Sequence, residues 1–174
     1  MGSEQDAASG ESPVAALYRR ALPEVYGYLL PRCGSTTLAE DLTAETFMAA
    51  VAAADRERPP EISVGWLVGV ARHKLIDHWR AAERERLGMA DIGRTSATVD
   101  DPWPEQLDVA ALHAALARLP VAQRGALTLR YLDGLPVSHV AEHLGRSLHA
   151  TETLLVRARA ALRHVYQEGE RDDG

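Results

Sequence analysis

The sequence predicts an all-α protein made of an N-terminal helical bundle and a C-terminal helix-turn-helix domain, joined by a flexible linker. Apolar residues recur at helical spacing in several segments, and strand-like alternation does not persist. Alanine and leucine dominate, while proline and glycine mostly gather between the periodic segments. With 46% hydrophobic and 25% charged residues, the chain has the composition of an ordinary globular protein.

Charge and cysteine content limit the functions open to the chain. A net charge of -6 argues against indiscriminate nucleic-acid binding, which depends on clustered positive charge. The one cysteine, Cys33, excludes an internal disulfide and cannot build a zinc site alone, so we expect no metal and no cofactor. The longest apolar stretch is too short to cross a bilayer, and the N-terminus lacks the basic and apolar run of a signal peptide. We therefore expect a cytoplasmic protein with no membrane partner.

A break in the helical periodicity divides the chain into two domains. From Leu87 onward, glycine, threonine, serine, aspartate and proline replace the apolar pattern, which is typical of an interdomain linker. The predicted order is a disordered tail at residues 1–11, an N-terminal domain at 12–86, the linker at 87–107, a C-terminal domain at 108–168 and a second tail at 169–174.

Three helices are predicted in the N-terminal domain. The first begins near residue 14, and Pro23 is expected to bend or interrupt it. The second runs from about residue 36 to residue 54, with Thr36 or Thr37 as its cap. Ser63 is expected to cap the third. The buried face of this third helix is predicted to be Val64, Leu67, Val68, Ala71, Leu75 and Trp79.

The C-terminal domain contains the most informative pattern of the chain, two short amphipathic helices separated by Gly145. The first lies between Gly134 and Gly145, and Ser147 can cap the second. The predicted buried stripe of the second helix is Thr151, Leu155, Ala158, Leu162 and Val165. A helix presented in this way can lie in a DNA major groove, although a helix, a glycine turn and another helix also describe any small helical bundle.

Several blocks of sequence, taken in order, resemble the bacterial sigma-70 family, specifically its compact extracytoplasmic-function (ECF) group. Residues 39–47 (AEDLTAETF) look like the segment that docks on the clamp helices of the largest polymerase subunit. Residues 66–80 (WLVGVARHKLIDHWR) look like the helix that melts and reads the minus-10 promoter element. The blocks ALARLP, QR, LRYLDGL, VA, LGRS and RAR, between residues 115 and 159, are similar to the minus-35 reader.

The resemblance implies a sigma factor that binds core RNA polymerase, directs promoter-specific transcription initiation and catalyses no reaction. The implied partners are the clamp helices of the largest subunit, the flap of the second-largest subunit and promoter DNA. An anti-sigma factor is a further family expectation that no residue of the sequence demonstrates. The loop at residues 55–62 corresponds to the family's pocket for a flipped base, where Arg56 and Arg58 could approach phosphates.

Carried over residue by residue, the resemblance gives three sets of candidate site residues. The polymerase-binding set is Asp41, Leu42, Glu45, Thr46 and Phe47. The minus-10 set is Arg56, Arg58, Trp66, Arg72, His73, Lys74, Asp77, His78, Trp79 and Arg80. The minus-35 set is Arg130, Arg146, Ser147, His149, Thr151, Glu152, Thr153, Val156, Arg157 and Arg159. Interleaved basic and aromatic groups suit single-stranded DNA, although the two tryptophans of the second set are also expected to be partly core residues.

The sequence departs from the family's pattern at several of these positions. His73 stands where the family often has asparagine, and Ala44 stands where it often has glutamine. Glu152 and Leu154 occupy positions that are basic in many members. A carboxylate there would repel phosphate or accept a hydrogen bond from cytosine, so the minus-35 sequence differs or that contact is weak.

Two other classes of function stay open at this stage. A free-standing helix-turn-helix regulator would act as a dimer and bind a palindromic site tightly without polymerase. An enzyme is disfavoured, because no nucleophile with a base, no phosphate loop and no full set of metal ligands is apparent. His139 and His143 have the spacing of metal ligands on a helix, but an ordinary exposed pair is the preferred interpretation.

Overall fold

The computed structural model describes residues 13–89 and 108–172, and all regular elements in this part of the chain are helical. The prediction of an all-α protein is therefore confirmed. Seven α-helices follow one another: α1 (Pro13–Cys33), α2 (Thr36–Ala54), α3 (Val64–Met89), α4 (Val109–Arg118), α5 (Val121–Leu127), α6 (Val137–Leu144) and α7 (Leu148–Asp172). A π-helical turn, Thr128–Leu132, continues α5.

The predicted boundaries of α1 and α2 need two corrections. The structure does not interrupt α1 at Pro23, which lies on the exposed side of the helix. The opposite side buries Val25 and Leu29 completely, and this packing outweighs the roughly 3 kcal/mol that an internal proline costs. The cap of α2 is Ser35 rather than a threonine, since Ser35 Oγ accepts a hydrogen bond from the amide of Leu38. The predicted cap of α3 is confirmed, because Ser63 Oγ accepts from the amide of Trp66 at 3.2 Å.

The helices also extend further than the sequence pattern indicated. α3 continues to Met89, three residues into the predicted linker, and a salt bridge of 2.9 Å between Glu83 and Arg86 supports its last turns. α7 continues to Asp172, through most of the predicted tail at 169–174, beyond an i, i+4 pair of His164 and Glu168. The predicted tail at 1–11 and the rest of the linker lie outside the described residues.

Two hydrophobic cores organise the protein. The first is built mainly from α1, α2 and α3, and its fully buried members include Val25, Leu29, Leu67 and Leu75. The second joins α4, α5 and α7 around Leu116, Leu127, Ala158 and Leu162. Leu129 and Val140 of the C-terminal half belong to the first core, so the two halves pack directly against each other. The sequence pattern predicted two domains on a flexible tether and gave no sign of this contact.

Candidate nucleic-acid interface

The exposed side of α2 carries acidic and apolar side chains that we call the α2 face (Asp41, Glu45, Phe47, Met48 and Val51). Asp41 and Glu45 are exposed one helical turn apart, so they project together. Met48 and Val51 are 63% and 61% exposed, an unusual solvent exposure for such large apolar side chains. Phe47 packs on Tyr18 of α1 with 4.6 Å between the ring centroids. The α2 face therefore has the composition of a protein-binding surface.

Two members of the predicted polymerase-binding set lie inside the protein instead. Leu42 is 4% exposed and Thr46 is fully buried. The Thr46 hydroxyl donates to the carbonyl of Leu42 at 2.7 Å, which satisfies it within the helix. These two residues hold α2 on its neighbours and cannot touch a partner in this structure.

Two predicted minus-10 side chains of α3 are engaged by other parts of the N-terminal half and by the C-terminal half. Lys74 Nζ lies 3.0 Å from Glu45 Oε2 of α2. Arg72 Nε donates to Tyr28 Oη at 3.4 Å and lies 3.5 Å from Asp133 Oδ2. Both cations therefore lie at the surface of α3, and each is close to a carboxylate of the same chain.

Further along α3, Arg80 and Glu83 contact the helix-turn-helix. Arg80 donates to the carbonyl oxygens of His143 at 2.6 Å and Glu142 at 2.8 Å. These carbonyls end α6, where a cation also complements the helix dipole. Glu83 accepts from Arg146 at 2.9 Å. A hydrogen bond from Arg86, followed by the positive charges of Arg86 and Arg146, lowers the pKa of Glu83 and keeps it ionised.

Trp79 is a core residue that both halves share, which corrects its place in the minus-10 set. Its side chain is 1% exposed and lies in the core that contains Leu129 and Val140. A Cβ on Gly125 of α5 would meet Trp79 Cε3 at 3.0 Å, so the missing side chain of Gly125 lets the indole pack closely. Trp79 can reach DNA only if the two halves separate.

The other predicted minus-10 residues remain at the surface of the N-terminal half. These exposed or half-buried residues are Arg56, Arg58, Trp66, His73, Asp77 and His78. His73 Nδ1 lies 2.8 Å from the carbonyl oxygen of Gly69, which fixes its ring against α3. Burial, and then the positive charge of Arg124, lower the pKa of His78, so this imidazole is favoured in its neutral form.

The helix-turn-helix has the predicted geometry. Gly145 adopts φ 64° and ψ 38°, the left-handed conformation that ends α6 and that glycine tolerates best. Ser147 then caps α7, because its Oγ accepts from the amide of Ala150 at 3.2 Å. Both the turn and the cap are confirmed. α6 and α7 pack against each other, and Val140 of α6 and Thr151 of α7 are both fully buried.

Most predicted minus-35 side chains lie on the outer surface of α7 or at its start. Exposed are Ser147, His149, Glu152 and Arg157, and half-buried are Arg146, Thr153 and Val156. Arg159 is half-buried too, but it lines an apolar groove between α7 and α4. Thr151 is an exception, since its hydroxyl donates to the carbonyl of Ser147 at 2.9 Å inside the protein. Arg130 is another, because it donates to the carbonyl of Leu135 at 3.0 Å and so supports the segment between the π-helical turn and α6.

A buried polar contact between the halves, which we call the Asp133 clasp (Tyr28, Arg32, Arg72 and Asp133), was not predicted from the sequence. Arg32 donates to Asp133 Oδ1 through Nη2 at 2.8 Å and Nε at 3.1 Å, and Tyr28 donates to Oδ2 at 2.9 Å. Burial, then the negative charge of Asp133, raise the pKa of Tyr28 to about 12, so its hydroxyl stays a donor. No local signal could have found partners about a hundred positions apart in the chain.

The described residues offer neither a metal-binding cluster nor a membrane-spanning helix. Among the described residues, no cluster of three or more His, Cys, Asp or Glu side chains is placed to hold a metal ion. Within the same part of the chain, no helix combines the length and apolar character needed to cross a membrane.

Comparison with known proteins identifies both halves. The sigma-70 region 2 family matches residues 17–85, and the sigma-70 region 4 family matches residues 110–162. The ECF RNA polymerase sigma factor BldN of Streptomyces coelicolor is 34% identical over 161 residues, covering 89% of this chain and 61% of BldN. The chain therefore spans less than two thirds of that relative's length.

Other relatives match along nearly their whole length. The ECF RNA polymerase sigma factor SigM of Bacillus subtilis is 30% identical, with 90% of this chain and 97% of SigM covered. The fold is also similar to that of the sigma factor RpoE, solved in complex with the anti-sigma factor NepR from Bartonella quintana. That match has a TM-score of 0.51 and 23% identity, and covers 86% of this chain and 94% of that chain. With both family regions matched in order and a relative aligned over almost its full length, the chain belongs to the ECF group of the sigma-70 family.

Proposed function

We propose that this chain binds core RNA polymerase and directs promoter-specific transcription initiation in the cytoplasm, without catalysing a reaction. The observation that carries this proposal is the presence of two separate reading helices on one chain, α3 in the region 2 half and α7 in the region 4 half. A single chain can then address two promoter elements, whereas a free-standing helix-turn-helix regulator needs a dimer to do so. The family assignment removes the basis for that alternative.

We assign residues 12–86 to region 2, which binds core polymerase and melts the minus-10 element. Residues 87–107 form the linker between the regions, although α3 itself continues to Met89. Residues 108–168 form region 4, which reads the minus-35 element. The extents of the two family matches support these ranges.

The α2 face is the proposed contact with the clamp helices of the largest subunit. Asp41 and Glu45 offer negative charge for basic groups of a partner helix, and Phe47, Met48 and Val51 offer apolar area beside it. This combination of an apolar centre and a charged edge is typical of specific protein interfaces.

A groove on region 4 is the proposed contact with the flap of the second-largest subunit. The groove has a volume of about 430 Å³ and lies between α4, α5, the π-helical turn and α7. It is lined by Leu112, Leu116, Leu127, Thr128, Tyr131, Leu132, Arg159 and Leu162. Tyr131 and Leu132 are 54% and 40% exposed, so a partner that covered them would bury substantial apolar surface.

The surface of α3 and the loop before it are proposed to bind the melted minus-10 strand. Arg72, Lys74 and Arg80 supply positive charge for phosphates, and Trp66 and His73 supply flat surfaces for unstacked bases. Arg56 and Arg58, exposed in the preceding loop, would hold the backbone near a flipped base.

The first turns of α7 are proposed to enter the major groove at the minus-35 element. His149, Glu152 and Arg157 are exposed along this helix, and Ser147 and Arg146 stand at its start. A glutamate at the exposed face can accept from the amino group of cytosine and is repelled by phosphate. Glu152 therefore favours a base contact over a backbone contact and sets this chain apart from relatives with a basic residue there.

An anti-sigma factor is a further proposed partner. The family resemblance implies one, and the sigma factor RpoE, whose fold is similar, was solved in complex with the anti-sigma factor NepR. The exposed apolar residues of the α2 face and of the region 4 groove give an inhibitor two surfaces to cover.

Run-off transcription with bacterial core polymerase and genomic fragments tests the proposed function. Specific starts should need the intact protein, and Asp41→Ala/Glu45→Ala should reduce them roughly tenfold or more, since each tenfold loss corresponds to only about 1.4 kcal/mol of binding free energy. Glu24→Ala/Glu85→Ala is the matched control, because it removes two exposed carboxylates outside the α2 face. If no start appeared while the folded protein bound duplex DNA by itself, a free-standing regulator would become the better interpretation.

A further inference from the structure

We propose that Leu148 and Glu152 of α7 select the bases of the minus-35 element: Leu148 packs on the methyl group of a thymine, and Glu152 accepts a hydrogen bond from the amino group of a nearby cytosine. This inference rests on the proposed entry of α7 into the major groove. It names the base pairs that the helix selects, and it adds Leu148, which belongs to none of the three candidate site sets, as a residue that determines specificity.

Leu148 is a large apolar side chain that the fold leaves in solvent. It is the first residue of α7 and is 50% exposed. Leu155 and Leu162 of the same helix are 6% and 4% exposed and belong to the core of region 4, so α7 packs on that core without Leu148. The C5 methyl group of thymine is the apolar group that the major groove offers. An exposed leucine at the end of the helix that enters the groove therefore suits a thymine.

Glu152 adds a hydrogen-bond acceptor one helical turn further along. Its side chain is exposed and makes no hydrogen bond or ion pair with the other residues that the structure describes. A carboxylate only accepts hydrogen bonds, and the donors in the major groove are the amino groups of cytosine and adenine. Adenine presents its N7 acceptor beside that amino group, and guanine presents two acceptors, all of which repel a carboxylate. Cytosine is therefore the base that Glu152 favours.

The two side chains are spaced to read neighbouring base pairs. They lie at i and i+4 on α7, and the Cβ atoms of such a pair are about 5–6 Å apart. Successive base pairs are about 3.4 Å apart along the duplex, so the two contacts fall roughly one or two base pairs from each other. The N-terminal residues of the recognition helix are the ones that meet base edges in helix-turn-helix proteins. The expected signature is therefore a thymine close to a cytosine.

The backbone that carries Leu148 and Glu152 is held in place before DNA binds. Ser147 Oγ accepts from the amide of Ala150 at 3.2 Å, and the Thr151 hydroxyl donates to the carbonyl of Ser147 at 2.9 Å. Thr151 is fully buried, so it ties the first turn of α7 to the interior of the protein. Because this turn needs no ordering on binding, less of the interaction free energy is lost to entropy.

A purely electrostatic role for Glu152 predicts a different behaviour. Arg157 is exposed on the same helix and can contact a phosphate, which positions α7 without reading sequence. If Glu152 only repelled phosphates, its removal would raise the affinity for every duplex alike. If Glu152 contacts a base, its removal changes which duplexes are bound. Sequence preference therefore separates the two roles.

Selection of duplexes by the full chain bound to core polymerase tests this inference. The pool is a random duplex long enough to hold both promoter elements, and bound duplexes are sequenced for the unsubstituted chain, Glu152→Gln and Leu148→Ala. We expect the unsubstituted chain to enrich a thymine and a cytosine roughly one or two base pairs apart. Glu152→Gln should replace the cytosine by adenine, because an amide binds adenine N6 and N7 together, and Leu148→Ala should lose the preference for thymine.

Matched controls remove similar groups elsewhere. Glu24→Gln removes an exposed carboxylate of α1, and Val109→Ala shortens an apolar side chain of α4 that is 64% exposed. Both variants should enrich the same motif as the unsubstituted chain. Circular dichroism of every variant checks that it is folded.

Base analogues in the selected duplex test both contacts from the side of the DNA. Replacing the thymine by uracil removes only its C5 methyl group and should weaken binding of the unsubstituted chain about fourfold, as expected for one buried methyl group. Leu148→Ala should respond less to the same replacement. Replacing the cytosine by thymine should weaken binding of the unsubstituted chain roughly tenfold and that of Glu152→Gln clearly less.

Each contact can be refuted separately. If Glu152→Gln enriches the unsubstituted motif, or binds every duplex more tightly by the same factor, Glu152 reads no base. If thymine and uracil duplexes bind the unsubstituted chain equally, Leu148 reads no methyl group, and this result needs no variant. Run-off transcription is measured in parallel. Specific starts without these base preferences refute this inference alone, whereas a folded chain that does not bind core polymerase refutes the proposed function.

Discussion

The two proposed reading helices, α3 and α7, differ in how their DNA-facing side chains are held. On α3, Arg72, Lys74 and Arg80 all contact other elements of the same chain. On α7, His149 and Arg157 project into solvent from a helix whose other side is fully buried. Three cations of α3 are therefore held by other parts of the same chain, whereas His149 and Arg157 of α7 face solvent; Arg146, just before α7, is held by Glu83.

The two tryptophans of α3 also differ in how far they are exposed. Trp66 and Trp79 both belong to the block that resembles the promoter-melting helix, yet Trp66 is half-buried and Trp79 is 1% exposed. Similarity to a family motif thus identifies a helix reliably, but burial decides which of its side chains can meet DNA.

The largest effect is expected from Trp79→Ala. The substitution removes an indole from the shared core and leaves a cavity between α3 and α5, so the free energy of unfolding should fall by about 3–5 kcal/mol. Urea denaturation followed by circular dichroism measures the change. Trp66→Ala, at the half-buried position, is the matched control and should cost clearly less. Equal midpoints for Trp79→Ala and the unsubstituted chain would show that the indole does not stabilise the core that the two halves share.

A smaller effect distinguishes Arg80 from Arg157, one arginine on each reading helix. Arg80→Ala leaves the last carbonyls of α6 without their charged donor and should lower the free energy of unfolding by about 1–3 kcal/mol. Arg157→Ala, on an exposed position, should change it by less than roughly 0.5 kcal/mol. Thermal denaturation of the two variants side by side measures both values. Similar losses at the two positions would contradict the difference between α3 and α7.

The sequence was sufficient for the features that depend on local chemistry. Helical periodicity and the caps at Ser63 and Ser147 agree with the structure, because each depends on residues within a few positions of one another. The left-handed turn at Gly145 is local in the same way. The family motifs then added the order of the two regions, which the family matches confirm.

The remaining features depend on residues far apart in the chain. Asp133 belongs to a block that was assigned to the helix-turn-helix, and nothing near it in sequence indicates that Tyr28 and Arg32 would bind it. The burial of Thr46 was missed for a related reason, since a threonine that donates to its own helix can face the core as readily as a partner. Thr151 was predicted both in the buried stripe of α7 and in the minus-35 set, and the structure buries it. The proposed base and phosphate contacts stay predictions.

The smallest expected effect is a pH dependence of the contact between the two halves, through His143 of α6. Burial, followed by the positive charges of His73, Arg72 and Arg80 on α3, lowers the pKa of His143 from 6.5, and Glu142 opposes this. The rings of His73 and His143 meet edge to face with 6.5 Å between their centroids. Because the contact favours the neutral imidazole, its stability is fully present above pH 6.5 and is lost as the pH falls below 6.5 toward the lowered pKa of His143.

The distance between spin labels at the exposed positions Ala52→Cys on α2 and Gln167→Cys on α7, measured at about pH 7.5 and about pH 5.5, should therefore lengthen on acidification. His143→Gln should weaken this response, and the lowered pKa of His78 should leave a residual change in the same direction. His149→Gln removes an exposed histidine of α7 and should keep the full response. An equal loss of response in the two variants would place the titration outside the contact between α3 and α6, and would show that protonation of His143 does not weaken this contact.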